Sequence, residues 1–220
     1  MKTHRLLAVI PCALAATAYA GPDWVEVGDA GSTFNTAQVV LGIGQLTSIE
    51  GSLSSGLTGS DFEDVYLIRI ETPGAFRFDL TNTGFDSMLW LFNVTKAGEL
   101  FGLLANNDSP STMGALIPGP NATDSTGAMV TNPGVYAIAI TGFNRRPSSR
   151  TGDIFSFASN TEISGPDGPG AINPLQTWVG EGATGDYVLT VQGVGFVDVP
   201  APGTGALLAV GLLAGARRRR

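Results

Sequence analysis

The sequence predicts an all-β protein, an antiparallel β-sandwich of jelly-roll type. Apolar and polar side chains alternate with a period of two in four segments, at 64–70, 75–80, 134–140 and 185–191. This period is typical of strands with one buried face. Turn-forming glycine and proline residues separate the segments, and no window shows a sustained helical repeat with caps. Short strands joined by close turns favour a sandwich.

The alternation also predicts which side chains face the core. In segment 75–80 the apolar residues share one face, and Arg77 and Asp79 lie on the other. We predict further strands at 46–53, 87–93 and 100–105. The core-facing side chains are expected to be Tyr66, Ile68, Ile70, Phe76, Phe78, Leu80, Tyr136, Ile138, Ile140, Tyr187, Leu189 and Val191.

The first twenty residues have the features of a secretion signal. Lys2 and Arg5 precede an apolar stretch, and Ala18 and Ala20 form an A-x-A cleavage site. We expect the export machinery and signal peptidase to remove residues 1–20. The only cysteine and the only histidine lie in this segment. The mature chain would therefore have no disulfide, no zinc site built on cysteine or histidine, and no histidine base.

The central segment is strongly acidic. Six of the twelve basic residues lie in the two ends, so residues 21–198 carry six bases against 19 acids, a formal charge of −13. Such a charge repels nucleic acid and anionic lipid. We therefore expect no nucleic-acid partner.

The last 22 residues have the three-part order of a sorting tail. Val199, Pro200 and Pro202 form a proline-broken linker, and an apolar run follows at 205–216. The chain ends in the basic block Arg217, Arg218, Arg219 and Arg220. This order resembles the PEP-CTERM sorting signal of bacteria that make extracellular polysaccharide, with Ala201 at the position of the usual glutamate. The resemblance implies transient membrane contact through a short apolar helix and removal by an exosortase-like enzyme.

The predicted organisation is therefore a signal peptide at 1–20, a sandwich domain at 21–198 and a sorting tail at 199–220. Five blocks of the domain resemble the bacterial pre-peptidase C-terminal domain over about 45–195. They are DVYLIRI at 64–70, FDSMLWLF at 85–92, LANND at 104–108, GVYAIAI at 134–140 and GDYVLTV at 185–191. This resemblance implies a jelly-roll-like sandwich, places the strands that carry the acidic loops side by side, and implies calcium binding in relatives. The paired aspartates of that family are Asn107 and Asp108 here.

Acidic loop residues are the candidate calcium ligands. Asp61, Glu63 and Asp64 precede one predicted strand, and Asp86, Asn107 and Asp108 flank a strand pair. Calcium takes six to eight oxygen ligands in flexible geometry, which such side chains supply. Aspartate and asparagine are also favoured in turns, so the alternative is that these residues only shape the turns and bind no ion. Calcium is the only cofactor that the sequence suggests.

Two further features are candidates for ligand contact. Trp178 lies in a glycine-rich loop and could stack on a sugar ring, the alternative being an anchor packed on the sandwich. Arg145 and Arg146 form a basic loop that could bind an anionic polysaccharide, the alternative being a solvated hairpin loop.

These features predict an exported, non-enzymatic protein of the cell envelope, cell surface or extracellular matrix, which binds polysaccharide or matrix components. No G-x-S-x-G motif occurs, and the mature chain lacks a histidine to serve one. Two alternatives stay open. One is a glycoside hydrolase that uses two carboxylates; the other is a calcium-stabilised structural module without a ligand.

Overall fold

The structure is a computed structural model that describes residues 23–56 and 59–198. The prediction of an all-β fold is confirmed, since the one helical element in these ranges is a 3-10 turn at Pro73–Ala75. No helix among these residues has the length and apolar character that crossing a bilayer requires. The predicted signal peptide and apolar tail helix lie outside the described residues.

The strands are β1 (Asp23–Val25), β2 (Gln38–Val39), β3 (Gln45–Gly56), β4 (Gly59–Asp61), β5 (Glu63–Ile70), β6 (Arg77–Asp79), β7 (Ser87–Val94), β8 (Leu100–Asn106), β9 (Leu116–Ile117), β10 (Gly134–Gly142), β11 (Arg146–Ser149), β12 (Gly152–Asp153), β13 (Ile163–Ser164), β14 (Thr177–Val179) and β15 (Gly185–Gly195).

Strand β15 joins the two halves of the main sheet. Its first part pairs with β3 on one side and with β6 on the other. After an irregularity between Thr190 and Val194, its end pairs with β5. One half is therefore β1-β3-β15-β6-β9, and the other is β5-β10-β7-β8-β13. Most pairs are antiparallel, whereas β1 with β3 and β2 with β5 are parallel.

A single apolar core lies between these two halves. Ile49 and Leu189 from the first half share one cluster of buried residues with Ile68 and Ile138 from the second. All twelve side chains that the alternation assigned to the core are buried. Burial of one large apolar side chain stabilises the fold by about 1.5–3 kcal/mol, so this core is the main source of stability.

The second half is also covered on its other face. Val65, Trp90 and Ala139 point away from the main core into a second apolar cluster. The small sheet β12-β11-β14 and its flanking loops form the cover, and the Trp90 ring lies 5.6 Å from that of Phe155. The prediction of one buried face is therefore wrong for β5 and β10, and β7 between β10 and β8 is buried on both faces as well. These strands lie between two apolar layers, a position typical of nearly continuous apolar runs.

Candidate functional site

The six predicted calcium ligands do not form one group. Asp64 lies on β5 and Asp86 immediately precedes β7, but β10 lies between these two strands. Because neighbouring strands lie about 4.8 Å apart, β5 and β7 are about 10 Å apart. The expectation that the two acidic loops are neighbours is therefore wrong. The structure divides the acidic residues of this region into a paired glutamate, an acidic cluster at the start of β5 and a second acidic group next to β7.

Glu63 has a cation of its own within the protein. Arg145 donates to both carboxylate oxygens of Glu63, from Nε at 2.7 Å and from Nη2 at 3.1 Å. The same guanidinium donates from Nη1 to the Gly180 carbonyl at 2.6 Å and lies over the Phe62 ring. Both side chains are mostly buried, at 9% exposure for Glu63 and 21% for Arg145. This pair is a structural contact, and neither group is open to an external ligand.

Four carboxylates gather on the opposite side of the β5 backbone, and we call them the N-terminal acidic cluster: Glu26, Asp29, Asp61 and Asp64. Glu26 directly follows β1, and its backbone N–H donates to the Glu50 carbonyl at 2.8 Å. Asp29 lies in the next turn, and Asp61 is the last residue of β4. The pairing of β1 with β3 and of β4 with β3 brings these segments to the start of β5.

Three of these carboxylates converge on a small volume. One carboxylate oxygen each from Glu26, Asp29 and Asp64 lies within 4.8 Å of the other two. Backbone donors orient the first two: Ala30 N–H donates to Glu26 at 2.9 Å and Gly31 N–H donates to Asp29 at 2.5 Å. The backbone of this loop therefore holds the Glu26 and Asp29 carboxylates close together, although their negative charges repel each other.

Asp64 is the fully buried member of the cluster. Its Oδ2 accepts a hydrogen bond from the Tyr187 hydroxyl at 2.5 Å, and that hydroxyl lies 2.7 Å from the Tyr66 hydroxyl. Its Oδ1 is buried and has no hydrogen-bond partner. Gly51 lies against the Tyr187 hydroxyl so closely that a Cβ there would collide with it. Glycine at this position therefore lets the tyrosine reach Asp64.

The electrostatics of the cluster favour protonation or a bound cation. Burial, with a smaller contribution from the charges of Asp61, Glu26 and Asp29, raises the pKa of Asp64 to about 8, although the Tyr187 hydrogen bond acts to lower it. Burial also raises the pKa of Asp61 to about 7, with Asp29 and Glu26 contributing. Within 23–56 and 59–198, no arginine or lysine forms an ion pair with these four acids. The cluster therefore holds negative charge that the described part of the protein does not neutralise.

The second acidic group consists of Asp86 and Asp108. Burial raises the pKa of Asp86, and the charge of Asp108 adds to the rise. The Oδ1 atoms of both residues, and that of Asn107 between β8 and Asp108, are buried without a hydrogen-bond partner. This group has two carboxylates, half the number in the N-terminal acidic cluster.

The ligand candidates Trp178 and Arg146 make contacts within the protein. Trp178 is only 6% exposed, its ring lies 6.4 Å from that of Trp90, and its Nε1 donates to the Ser32 carbonyl at 2.8 Å. The predicted loop position is wrong, because Trp178 lies on β14; its ring presents no open face to a sugar and anchors this strand to the second apolar cluster. Arg146 pairs with Asp153 at 3.2 Å. Like Arg145, it is not part of a freely solvated loop.

Sequence reasoning missed Glu26 and Asp29. Both precede the first long strand and lie more than thirty positions before Asp64. Their spacing, with an acid three residues after another, repeats in Asp61 and Asp64. The same spacing also separates Asp23 from Glu26, so it does not by itself identify the members of the cluster.

The fold and the site together define an all-β domain with a candidate cation-binding cluster. The model of the PEP-CTERM protein-sorting motif matches residues 198–220. The match supports the predicted sorting tail, including Val199, Pro200, Pro202 and the terminal arginines. Comparisons with curated proteins and with solved structures found no match. The motif implies an exported protein that exosortase-like machinery sorts at the cell envelope.

Proposed function

We propose that the chain is a non-enzymatic surface module whose fold is stabilised by calcium bound at the N-terminal acidic cluster, and that it contacts extracellular polysaccharide. The observation that carries the calcium proposal is the buried, unpartnered Oδ1 of Asp64 beside two converging carboxylates. A buried carboxylate without a partner costs free energy, and a bound cation removes that cost. The resemblance to the pre-peptidase C-terminal domain stays a prediction that is consistent with this proposal.

The residues of the cluster suit calcium better than a softer metal. All candidate ligands are carboxylate oxygens, which hard cations prefer. An open groove of about 700 Å³ is lined in part by Glu26 and Tyr187, and it gives solvent and ions a path to the cluster. Calcium tolerates irregular oxygen geometry, whereas magnesium demands a tight octahedron, so the loop-borne ligands favour calcium.

The second acidic group is a candidate for a further, weaker cation position. Its two carboxylates repel each other, and each has a buried oxygen without a partner. Two carboxylates supply less charge than four, so we expect a lower affinity there.

The geometry of the cluster argues against the hydrolase alternative. A glycosidase needs two carboxyl groups that both reach the scissile bond. Asp64 is fully buried under Tyr187 and offers no surface to a substrate. We therefore propose binding and structural roles rather than catalysis.

The test is the melting temperature of the full chain with calcium and with EDTA. Binding to the folded state alone stabilises by RT ln(1 + [L]/Kd), about 1.4 kcal/mol at ten times Kd. For a chain of this size that corresponds to a rise of roughly 3–6 °C. Asp64→Asn should abolish the calcium effect without lowering the melting temperature in EDTA, because asparagine resembles the protonated carboxyl that the raised pKa of Asp64 favours there.

Glu181→Gln is the matched control, because it removes one exposed acid outside the cluster. It should keep the full calcium effect. If the wild-type protein melts at the same temperature in calcium and in EDTA, the acidic residues of the cluster only shape the turns in which they lie, and the calcium proposal is wrong.

Sorting is tested separately, by the intact mass of the protein from its host. We expect a species that lacks residues 1–20 and the block Arg217 to Arg220. A mature species that keeps the terminal arginines would contradict processing of the tail.

A further inference from the structure

The outer face of the second half of the sheet is covered at one end only. Val65 of β5 and Ala139 of β10 lie in the second apolar cluster, under the small sheet. Arg69 and Val135 lie four positions away on the same two strands and opposite each other, so they share that face. Val135 is 36% exposed, and so is 38% of the Arg69 side chain. The cover therefore stops short of these two residues.

Residues 39–43 add apolar side chains to this open end. Val39 lies opposite Leu67, which belongs to the second apolar cluster, whereas Val40 belongs to the main core. Because side chains alternate along an extended chain, Val39, Leu41 and Ile43 point to the outer side. Their exposed fractions are 36%, 39% and 82%, and we call them, together with Val135, the exit patch. Exposed apolar side chains gathered in one place are typical of an interaction surface.

The chain leaves the domain at the exit patch. Val197 forms a bridge with Leu41, and its N–H donates to the Val40 carbonyl at 2.8 Å. Asp198, the last residue that the structure describes, pairs through Oδ2 with Nη1 of Arg69 at 3.6 Å. The apolar run at 205–216 begins seven residues later, a distance that an extended chain spans in at most about 25 Å. The run is therefore tethered within reach of the patch.

From these positions we infer that the apolar run 205–216 docks on the exit patch of its own domain for as long as the tail remains attached. Removing two apolar surfaces from water at once is favourable, and a short tether raises the effective concentration of the run to the millimolar range. The inference goes beyond the proposed function, and it does not depend on calcium.

Charge favours this occupant over a membrane surface. Residues 21–198 carry a formal charge of −13, which attracts the four arginines that follow the apolar run. The same charge repels an anionic bilayer. The tail is thus a segment of matching polarity and opposite charge that is already tied to the edge of the patch.

The test is disulfide formation in the full chain, in buffer without detergent or lipid. Cys12→Ser first removes the only native cysteine. A disulfide needs two Cα atoms about 4.4–6.8 Å apart. With oxidised glutathione, the pair Ile43→Cys and Leu208→Cys should form an intrachain disulfide at least roughly tenfold faster than the pair Ile172→Cys and Leu208→Cys. Ile172 is the matched site, since it is 86% exposed and lies in the loop before β14, outside the exit patch.

Leu41→Asp separates docking from chance collisions near the exit of the tail. It leaves the tether unchanged but places a charge in the patch, so it should slow the disulfide between the cysteines introduced at 43 and 208 about fivefold or more. Met113→Asp is the matched control, because Met113 is 63% exposed and does not belong to the patch. It should leave the rate unchanged, and both variants should melt within a few degrees of the parent.

Three outcomes would overturn the inference. An equal rate with and without Leu41→Asp would mean that the tail only collides with the patch. Disulfide-linked dimers in place of the intrachain product would mean that a second copy covers it. Absence of the disulfide, together with binding to phosphatidylcholine vesicles that Leu41→Asp abolishes, would mean that a bilayer does. None of these outcomes involves the melting shift in calcium, so the calcium proposal is tested independently.

Discussion

Glu63 and Asp64 are adjacent on β5, yet their surroundings are opposite. Glu63 faces Arg145, which neutralises it with two hydrogen bonds. Asp64 faces three other carboxylates, and its one side-chain donor is an uncharged tyrosine. Because strand side chains alternate between faces, two neighbouring acids can enter unrelated environments. One face thus carries its own cation, and the other requires a proton or an ion from solution.

The largest effect on the free energy of unfolding is expected at the Glu63–Arg145 pair, where the protein supplies its own cation. Arg145→Ala leaves Glu63 buried without its cation, and breaking a buried pair costs about 3–5 kcal/mol. We expect a loss of that size in the free energy of unfolding, measured by urea denaturation, and of equal size in calcium and in EDTA. The double variant with Glu63→Gln should recover part of it. A loss confined to EDTA would mean that the two faces are electrostatically coupled.

The second effect is a pH dependence on the Asp64 side. The folded protein binds more protons than the unfolded chain between pH 3.8, the ordinary aspartate value, and about 8, the raised pKa of Asp64. In EDTA, stability should therefore fall as pH rises through this window. Calcium binds the ionised carboxylates, so its stabilising effect should grow over the same range.

Melting curves at about pH 5 and about pH 8, with calcium and with EDTA, measure both trends. In Asp64→Asn the fall in EDTA should be much smaller. A stability in EDTA that rises from pH 5 to 8 would show that Asp64 is ionised in the folded protein without a cation.

The third effect concerns the tyrosine that contacts Asp64. Tyr187→Phe removes a hydrogen bond to the carboxylate and leaves the Tyr66 hydroxyl without that partner. We expect a loss of about 1–3 kcal/mol in the free energy of unfolding. The half-maximal pH of the calcium effect should also rise, because the charged form of Asp64 loses a donor. An unchanged pH profile would mean that the ionisation of Asp61, rather than that of Asp64, controls the calcium effect.

The smallest effect is expected at the second acidic group. Asp86→Asn removes the repulsion with Asp108 in a partly exposed place, so screening limits the gain. The melting temperature in EDTA should rise by less than about 2 °C. A rise larger than that of Asp64→Asn would reverse the ranking of the two acidic regions.

Seven of the fifteen described strands, namely β3, β5, β6, β7, β8, β10 and β15, were predicted from patterns that each carries locally. β6 and β15 alternate strictly, and their inward and outward residues lie as expected. The second apolar layer could not be predicted, because its cover is the small sheet β12-β11-β14 with its flanking loops, and these short segments carry no periodic pattern. The sign of burial on both faces that the sequence offers is the uninterrupted apolar run in β7. The first six residues of this strand are all buried in the structure.

The candidate site was only partly predictable for a topological reason. Asp61 and Asp64 share one sequence segment, so their proximity follows from the chain. Glu26 reaches them only through the parallel pairing of β1 with β3, which no local pattern specifies. The separation of Asp86 from Asp64 depends on the insertion of β10 between their strands, a pairing between distant parts of the chain.

The position of β15 bears on when the domain can fold. The hydroxyl contact between Tyr66 and Tyr187 joins residues 121 positions apart, and β15 is the strand that closes the core between the two halves. Topologies dominated by such distant contacts fold in milliseconds to seconds rather than microseconds. The sorting motif begins at residue 198, three residues after β15 ends. The core-closing strand therefore lies directly ahead of the sorting segment in the chain, and we expect the domain to complete its core only once the whole segment up to that motif is available.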